Sequence, residues 1–177
     1  MTTTRINQAL LQQTANEART SPRLRKNVNF HPADDFPAHR LINAMQLGSY
    51  VRPHRHLDPS KDETIVALQG RFGYLIFNEH GGIQEAVELT AGGPVFGIDI
   101  PHGTIHTILA LESDSVFFEA KAGPFVPLSE NEIAAWSRRQ TGKHPAKHVP
   151  DAKSQRSSRP RQSSPYLQSC PPPTAVC

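Results

Sequence analysis

Cysteine is nearly absent from this 177-residue chain. The two present, Cys170 and Cys177, stand close to its C-terminal end and form no Cys-x-x-Cys pair. Everything before them is free of cysteine, which excludes a disulfide scaffold or a thiolate zinc site as the support of a core. That usage fits a cytoplasmic protein. Long apolar runs are missing too: no stretch of about 18 apolar residues exists, so no membrane-spanning helix is expected. In MTTTRINQALLQQTANEART, Gln, Asn and Thr interrupt every apolar stretch. The segment therefore lacks the apolar heart of a signal peptide, and export is not expected. One tryptophan and two methionines stand against sixteen prolines, a balance that favours strands and turns over a helical bundle. Internal repeats are also lacking.

Charge is unevenly placed. The formal net charge is +3, but residues 1–137 carry 11 Lys/Arg against 15 Asp/Glu. Residues 138–177 carry 8 Lys/Arg against Asp151 alone, together with seven of the prolines. The basic character thus belongs to the C-terminal segment. With so few apolar residues, 138–177 cannot offset its ordering entropy and is expected to be a disordered basic Pro/Ser-rich tail. Tyr166 is its one aromatic residue, so specific nucleic-acid binding is not expected. The remainder is the size of a single domain.

Residues 5–20 read as a short amphipathic helix with Ile6, Leu10, Leu11 and Ala15 on one side, stopped by Ser21-Pro22. Residues 1–29 form this helix and a lead-in, and the main body is expected over 30–137. From Leu41 the pattern changes. LINAMQL, TIVALQG, FGYLIFN, GIQEAVEL, PVFGIDI, residues 104–111 and SVFFEAKA are each of strand length, with Gly48, Gly70, Gly81-Gly82, Gly92-Gly93 and Pro101-His102-Gly103 between them. The spacing predicts an all-β sandwich or barrel. Ser129 with Glu132 makes a capping-box pattern, so a short closing helix is expected, with Ile133 and Trp136 packing back on the sheet.

Nine histidines are many for this length. His54 and His56 end the extended segment GSYVRPHRH, Glu63 opens the next strand, and His106 follows in PHGTIH. Residues two apart on a strand share a face, so the first two imidazoles can converge on one ion. A His-x-His pair alone is common on surfaces, and Pro-x-Gly-x-x-His alone can be a turn. Their joint occurrence in order, each where a strand begins, points to a metal. Three His and a carboxylate suit one divalent transition metal: Fe, Mn, Ni, Zn or Cu. Asp58 and Asp62 precede Glu63 in the same loop and are alternative carboxylate donors.

Gly48-x5-His54-x-His56 … Glu63-x6-Gly70 resembles the first cupin motif, and Pro101-x-Gly103-x2-His106 resembles the second. Six residues separate His56 from Glu63, where cupins usually have three or four. Val95 and Ala110 stand where the second motif has its Gly and Asn. The stretch from Ser21 through PHRH to Glu63, with FEAKAGPF after the last strand, resembles the WbuC-family cupin-fold metalloproteins over about residues 5–137. That resemblance implies a jelly-roll β-barrel with short terminal helices. It also implies a metal held by His54, His56, His106 and Glu63. Members of that family are often encoded among surface-polysaccharide genes, which implies a sugar or sugar-nucleotide substrate.

Arg52 shares strand parity with the two histidines, so an unbroken strand points it into the cavity to bind an anion; Pro53 would instead break that parity and leave it solvated. Lys121, two residues from Glu119, is a second candidate of this type, and Tyr74 could line a sugar-sized pocket. Phe72 is expected in the core. His31, His39 and His80 fall in loops and are expected to be exposed, and His102 could support the metal motif. No general base stands out among Glu119, Tyr74 and His102. Three functional classes are compatible: an isomerase- or epimerase-like enzyme of polysaccharide biosynthesis, an Fe(II)-dependent dioxygenase, and a non-catalytic metal- or sugar-binding module. The partner is a small molecule such as a sugar phosphate, and a homodimer is the oligomer that cupin-like sheets suggest.

Overall fold

A computed structural model describes residues 3–138. The expected tail lies outside the described residues, except for Arg138. The first element, α1, spans Gln8–Thr20. It begins there because Asn7, in extended conformation, accepts the Leu10 N–H on its side chain at 3.0 Å, which satisfies one of the free donors of the first turn. Ile6 therefore precedes the helix and is exposed. Ser21 returns to extended backbone and Pro22 prevents continuation.

Eight strands follow: β1 Arg25–Asn29, β2 Ala38–Met45, β3 Glu63–Gln69, β4 Arg71–Phe77, β5 Ile83–Thr90, β6 Gly97–Ile100, β7 Ile105–Ala110 and β8 Ser115–Ala122. They build two antiparallel sheets, ordered β1-β2-β8-β3-β6 and β5-β4-β7. The segment around His54 lies against β7 through a single bridge to His106. With the edge strand β1 set aside and that segment counted as the fourth member of the smaller sheet, β2, β3, β6 and β8 face β4, β5, β7 and the His54 segment. Two four-membered sheets connected in this order make a jelly roll.

Alternation along the strands divides the apolar residues into two cores. Ile65 and Ala67 of β3, Phe117 of β8, Phe72 and Tyr74 of β4 and Ile108 of β7 point between the sheets, where Phe72 and Phe117 meet edge to face at 5.3 Å. Val116 of β8 and Ile42 and Ala44 of β2 point the other way, where Leu11, Ala15 and Ala18 of α1 cover them. The helix thus seals the outer face of the larger sheet.

Three expectations are corrected. The segment after Pro127 forms turns and no helix. Only half of the Ser129–Glu132 box forms: the Glu132 carboxylate accepts from Ser129 N–H at 2.9 Å and from Ser129 Oγ at 2.7 Å, and the following backbone bonds go to the His54 segment. Arg55 N–H donates to Glu132 O, Ala134 N–H donates to Pro53 O, and Ile133 bridges His54. Strand pairing has taken the groups that a helix would have used. Second, β1 arises inside the lead-in, where the polar run Arg-Lys-Asn-Val-Asn gave no alternation to read; it is an edge strand paired only with β2. Third, His31 and His39 are buried and stacked in parallel, with ring centroids 4.0 Å apart. Among the described residues no helix is long and apolar enough to cross a membrane.

Candidate functional site

One end of the space between the sheets is polar. Glu63 is the first residue of β3 and faces inward in register with Lys121 of β8. His106 lies in β7, in register with Ile76 of β4. His54 reaches the same place by exchanging backbone hydrogen bonds with His106, at 3.0 and 2.8 Å. His56 follows, its backbone held by Gly103 N–H at 2.7 Å. The three imidazole centroids stand 4.7 Å (His54–His106), 5.3 Å (His54–His56) and 6.4 Å (His56–His106) apart. Glu63, 4% exposed, lies among them, with Oε1 3.1 Å from His56 Nε2 and Oε2 3.3 Å from His106 Nε2.

Of the three carboxylates left open by the sequence, Glu63 is the one placed among the histidines. Asp58 accepts from Ser60 in the exposed loop, and Asp62 accepts from the backbone N–H of His102, with His102 Nδ1 2.9 Å away, at the rim. Tyr74 is fully buried, its ring 5.6 Å from that of His106. Arg52 is turned away: its guanidinium donates to Ser137 Oγ and Ser137 O. Pro53 breaks the parity that would have aimed it inward. Its carbonyl still serves the cluster, because it lies 2.9 Å from His54 Nδ1.

Three members of the cluster are not evident from the histidine motifs. Lys121 donates to Glu63 Oε1 at 2.7 Å and to Glu119 at 2.6 Å. Asn43 of β2 donates to the other oxygen of Glu119 at 2.7 Å. The readable signal was Glu119 and Lys121 in strand alternation with Phe117 on an otherwise apolar strand; Asn43 carried none.

Burial and the neighbouring charges set the protonation states. Burial, followed by the charge of His106, pulls the His54 imidazole down to about 4, so it is neutral over the ordinary pH range. Burial opposes the Glu63 carboxylate, but the adjoining His106 and His56 side chains and the charge of Lys121 outweigh it and hold the group well below the usual range. Burial likewise opposes the Lys121 ammonium, while Glu119 and Glu63 keep it protonated. The imidazoles aside, two carboxylates and one ammonium leave the cluster one negative charge in excess.

The ring orientations bear directly on a metal. A carbonyl oxygen only accepts, so His54 Nδ1 carries a proton toward Arg52 O, and His106 Nδ1 carries one toward Thr104 O at 2.8 Å. In the neutral rings this leaves each Nε2 as a lone pair, the arrangement typical of metal-binding histidines. His106 Nε2 then sets its lone pair against a carboxylate oxygen at 3.3 Å. Two acceptors that close repel unless a proton or a metal ion joins them. Two donors each about 2.1 Å from a shared ion stand roughly 3.0–3.4 Å apart, so the pair fits a metal. Among the described residues no three His, Cys, Asp or Glu side chains are already arranged for one ion. The rings are gathered around Glu63, whose Oε1 is taken up by Lys121 and His56. Two surface depressions, of about 350 and 460 Å³, lie along the β3–β6 edge and beside β4 and β7, and neither is lined by the clustered residues.

Residues 6–89 match a family described as a domain of unknown function, DUF6016. No curated protein matches the sequence. Among solved structures, the chain is similar to KdgF from Halomonas sp. (21% identity, 61% of this chain and 84% of that chain, TM-score 0.46). A cupin superfamily protein from Desulfitobacterium hafniense is 13% identical over 61% of this chain and 85% of that one, with a TM-score of 0.46. Oxalate decarboxylase from Lactobacillus farciminis is 20% identical over 57% of this chain, which spans 29% of that longer protein, with a TM-score of 0.44. The strand order itself carries the conclusion: the chain is an all-β protein with the jelly-roll fold that cupins share.

Proposed function

We propose that this protein binds one divalent transition metal through His54, His56, His106 and Glu63, and acts there on a small, oxygen-rich, anionic substrate of the sugar phosphate or sugar nucleotide class. The observation that carries the metal is the close approach of His106 Nε2 to Glu63 Oε2 while the Nδ1 atoms of His54 and His106 are tied to backbone carbonyls. When bound, the metal supplies a Lewis acid for a carbonyl or hydroxyl oxygen. The chain supplies the rest. Lys121 is a cation for an anionic group, and Glu119, held by Asn43 and Lys121, is a carboxylate able to take a proton. Tyr74 Oη is a buried hydroxyl with no partner among the described residues, free to donate to a ligand oxygen. The sugar substrate is supported by the WbuC-type motif resemblance and by this set of polar groups. An isomerase- or epimerase-like reaction is the chemistry they suit, since it needs a polarised carbonyl and a group that moves a proton.

Metal analysis of the purified protein tests the reading. About one equivalent is expected in the wild type, falling sharply in His54→Ala and His106→Ala while the fold is kept. Unchanged stoichiometry in both variants would sink it. With metal present, exchange of a sugar C–H for deuterium under anaerobic conditions is the expected activity. Substrate-dependent oxygen uptake would indicate a dioxygenase instead, and saturable binding without turnover a binding module.

A further inference from the structure

Lys121 stands in a position that a metal-binding cluster does not require. Its ammonium donates to Glu63 Oε1 at 2.7 Å, the same oxygen that faces His56 Nε2 at 3.1 Å, and to Glu119 Oε1 at 2.6 Å. A carboxylate oxygen has two lone pairs, so Glu63 Oε1 is saturated by these neighbours. The second carboxylate is itself fixed by Asn43 Nδ2. The strand register makes the arrangement unavoidable: Lys121 lies directly opposite Glu63, and Glu119 lies opposite Ile65 one inward position further along. Lys121 is mostly buried, with 23% of its side chain exposed, and the two carboxylates more so, at 5% and 11%. The charges therefore act on one another with little screening.

We propose that Lys121 is a built-in competitor for the metal: its ammonium holds Glu63 in the metal-free protein and passes wholly to Glu119 when a divalent ion takes Glu63. The inference rests on the ligand set proposed above. In this cluster the charge that a metal meets is set by Lys121 and Glu119, which bind no metal themselves. The wild type presents one net negative charge, Lys121→Met presents two, and Glu119→Gln presents none. Coulomb attraction for a divalent ion follows that order, so affinity should rank Lys121→Met above wild type above Glu119→Gln. A purely structural lysine gives a different result, because losing it would loosen the cluster and weaken the metal along with the fold. The proposed exchange gives opposite signs: Lys121→Met is less stable without metal but binds it more tightly.

The test is titration of the chelator-stripped full-length protein with Mn(II), read by the EPR signal of free Mn(II), which thiolates of the C-terminal cysteines bind poorly. Melting is followed with and without the ion. Lys121→Met is expected to bind at least about tenfold more tightly than wild type and Glu119→Gln about tenfold more weakly, with Lys121→Arg near wild type. The melting temperature of Lys121→Met should fall in chelator and recover in Mn(II) by more than that of the wild type rises. Should Lys121→Met fail to fold, Glu119→Gln carries the test, and unchanged affinity there overturns the proposal. Equal or weaker binding by folded Lys121→Met also overturns it, and leaves the metal reading intact if the wild type binds. Binding by Lys121→Met alone would support it in strongest form. Binding by neither, or binding that survives His106→Ala unchanged, would remove the metal reading and this inference with it.

Discussion

Tyr74→Phe should make the metal-free protein more stable, against the usual direction of substitutions at fully buried positions. The ring of Tyr74 belongs to the main core and packs near that of His106. Its hydroxyl is buried and has no hydrogen-bond partner among the described residues. Burial first, and the charges of Glu63 and Glu85 second, push the phenol above its usual range, so it remains a neutral donor. An unsatisfied buried hydroxyl costs about 1–3 kcal/mol of desolvation. Phenylalanine keeps the ring contacts and removes that cost, for a net gain of roughly 1–2 kcal/mol. In a domain of this size 1 kcal/mol moves the melting point by about 3–5 °C, so a rise of roughly 3–10 °C is expected by differential scanning calorimetry in chelator. The same variant should bind the substrate up to about tenfold more weakly, the ordinary worth of one hydrogen bond. A melting point lowered by several degrees would show that the hydroxyl is satisfied in the folded protein, and would refute the reasoning.

Other consequences follow from particular contacts. Leu11→Ala opens the seam between α1 and the outer sheet face, where Leu11 packs with Ile42 and Val116; chemical denaturation should show a loss of about 2–4 kcal/mol, and a loss below 1 kcal/mol would mean the helix is not firmly docked. Gly70 joins β3 to β4 at φ +72°, and a Cβ there would lie 3.0 Å from Ser115 Cα, so Gly70→Ala should cost at least about 2 kcal/mol from strain and overlap together. Acid should destabilise the fold through Asp114 and Glu132. The Arg19 side chain holds Asp114 below its ordinary value, and the Ser129 backbone N–H, with Ser129 Oγ and the Leu57 N–H, draws Glu132 down to about 2. Folded values below unfolded ones mean stability that is present above about pH 4.5 and lost as pH falls toward 2. A flat melting temperature between pH 5 and 2.5 would contradict this, and Asp114→Asn should flatten part of the slope.

Much of this protein was legible in its sequence because one-dimensional periodicity carries most of the information about a half-buried strand. Seven of the strands announced themselves as apolar runs between glycine turns. The four clustered residues stood in order as His-x-His, a following Glu and a later Pro-x-Gly-x-x-His. The sequence also limited the carboxylate to Asp58, Asp62 or Glu63, and strand parity is what selects Glu63: as the first residue of β3 it faces inward, while the two aspartates spend their oxygens on Ser60 and His102. Tertiary structure decided what periodicity cannot express. Pro53 turned Arg52 out to Ser137, and the His54 segment captured the backbone groups of 132–134 that local capping signals had assigned to a helix. The pairing of Lys121 with both Glu63 and Glu119, and of Glu119 with Asn43, joins residues 58 to 76 positions apart in chain number or two apart on one strand. Such contacts depend on which strands become neighbours, and that is settled by the order of two sheets closing over one core rather than by any local preference of the chain.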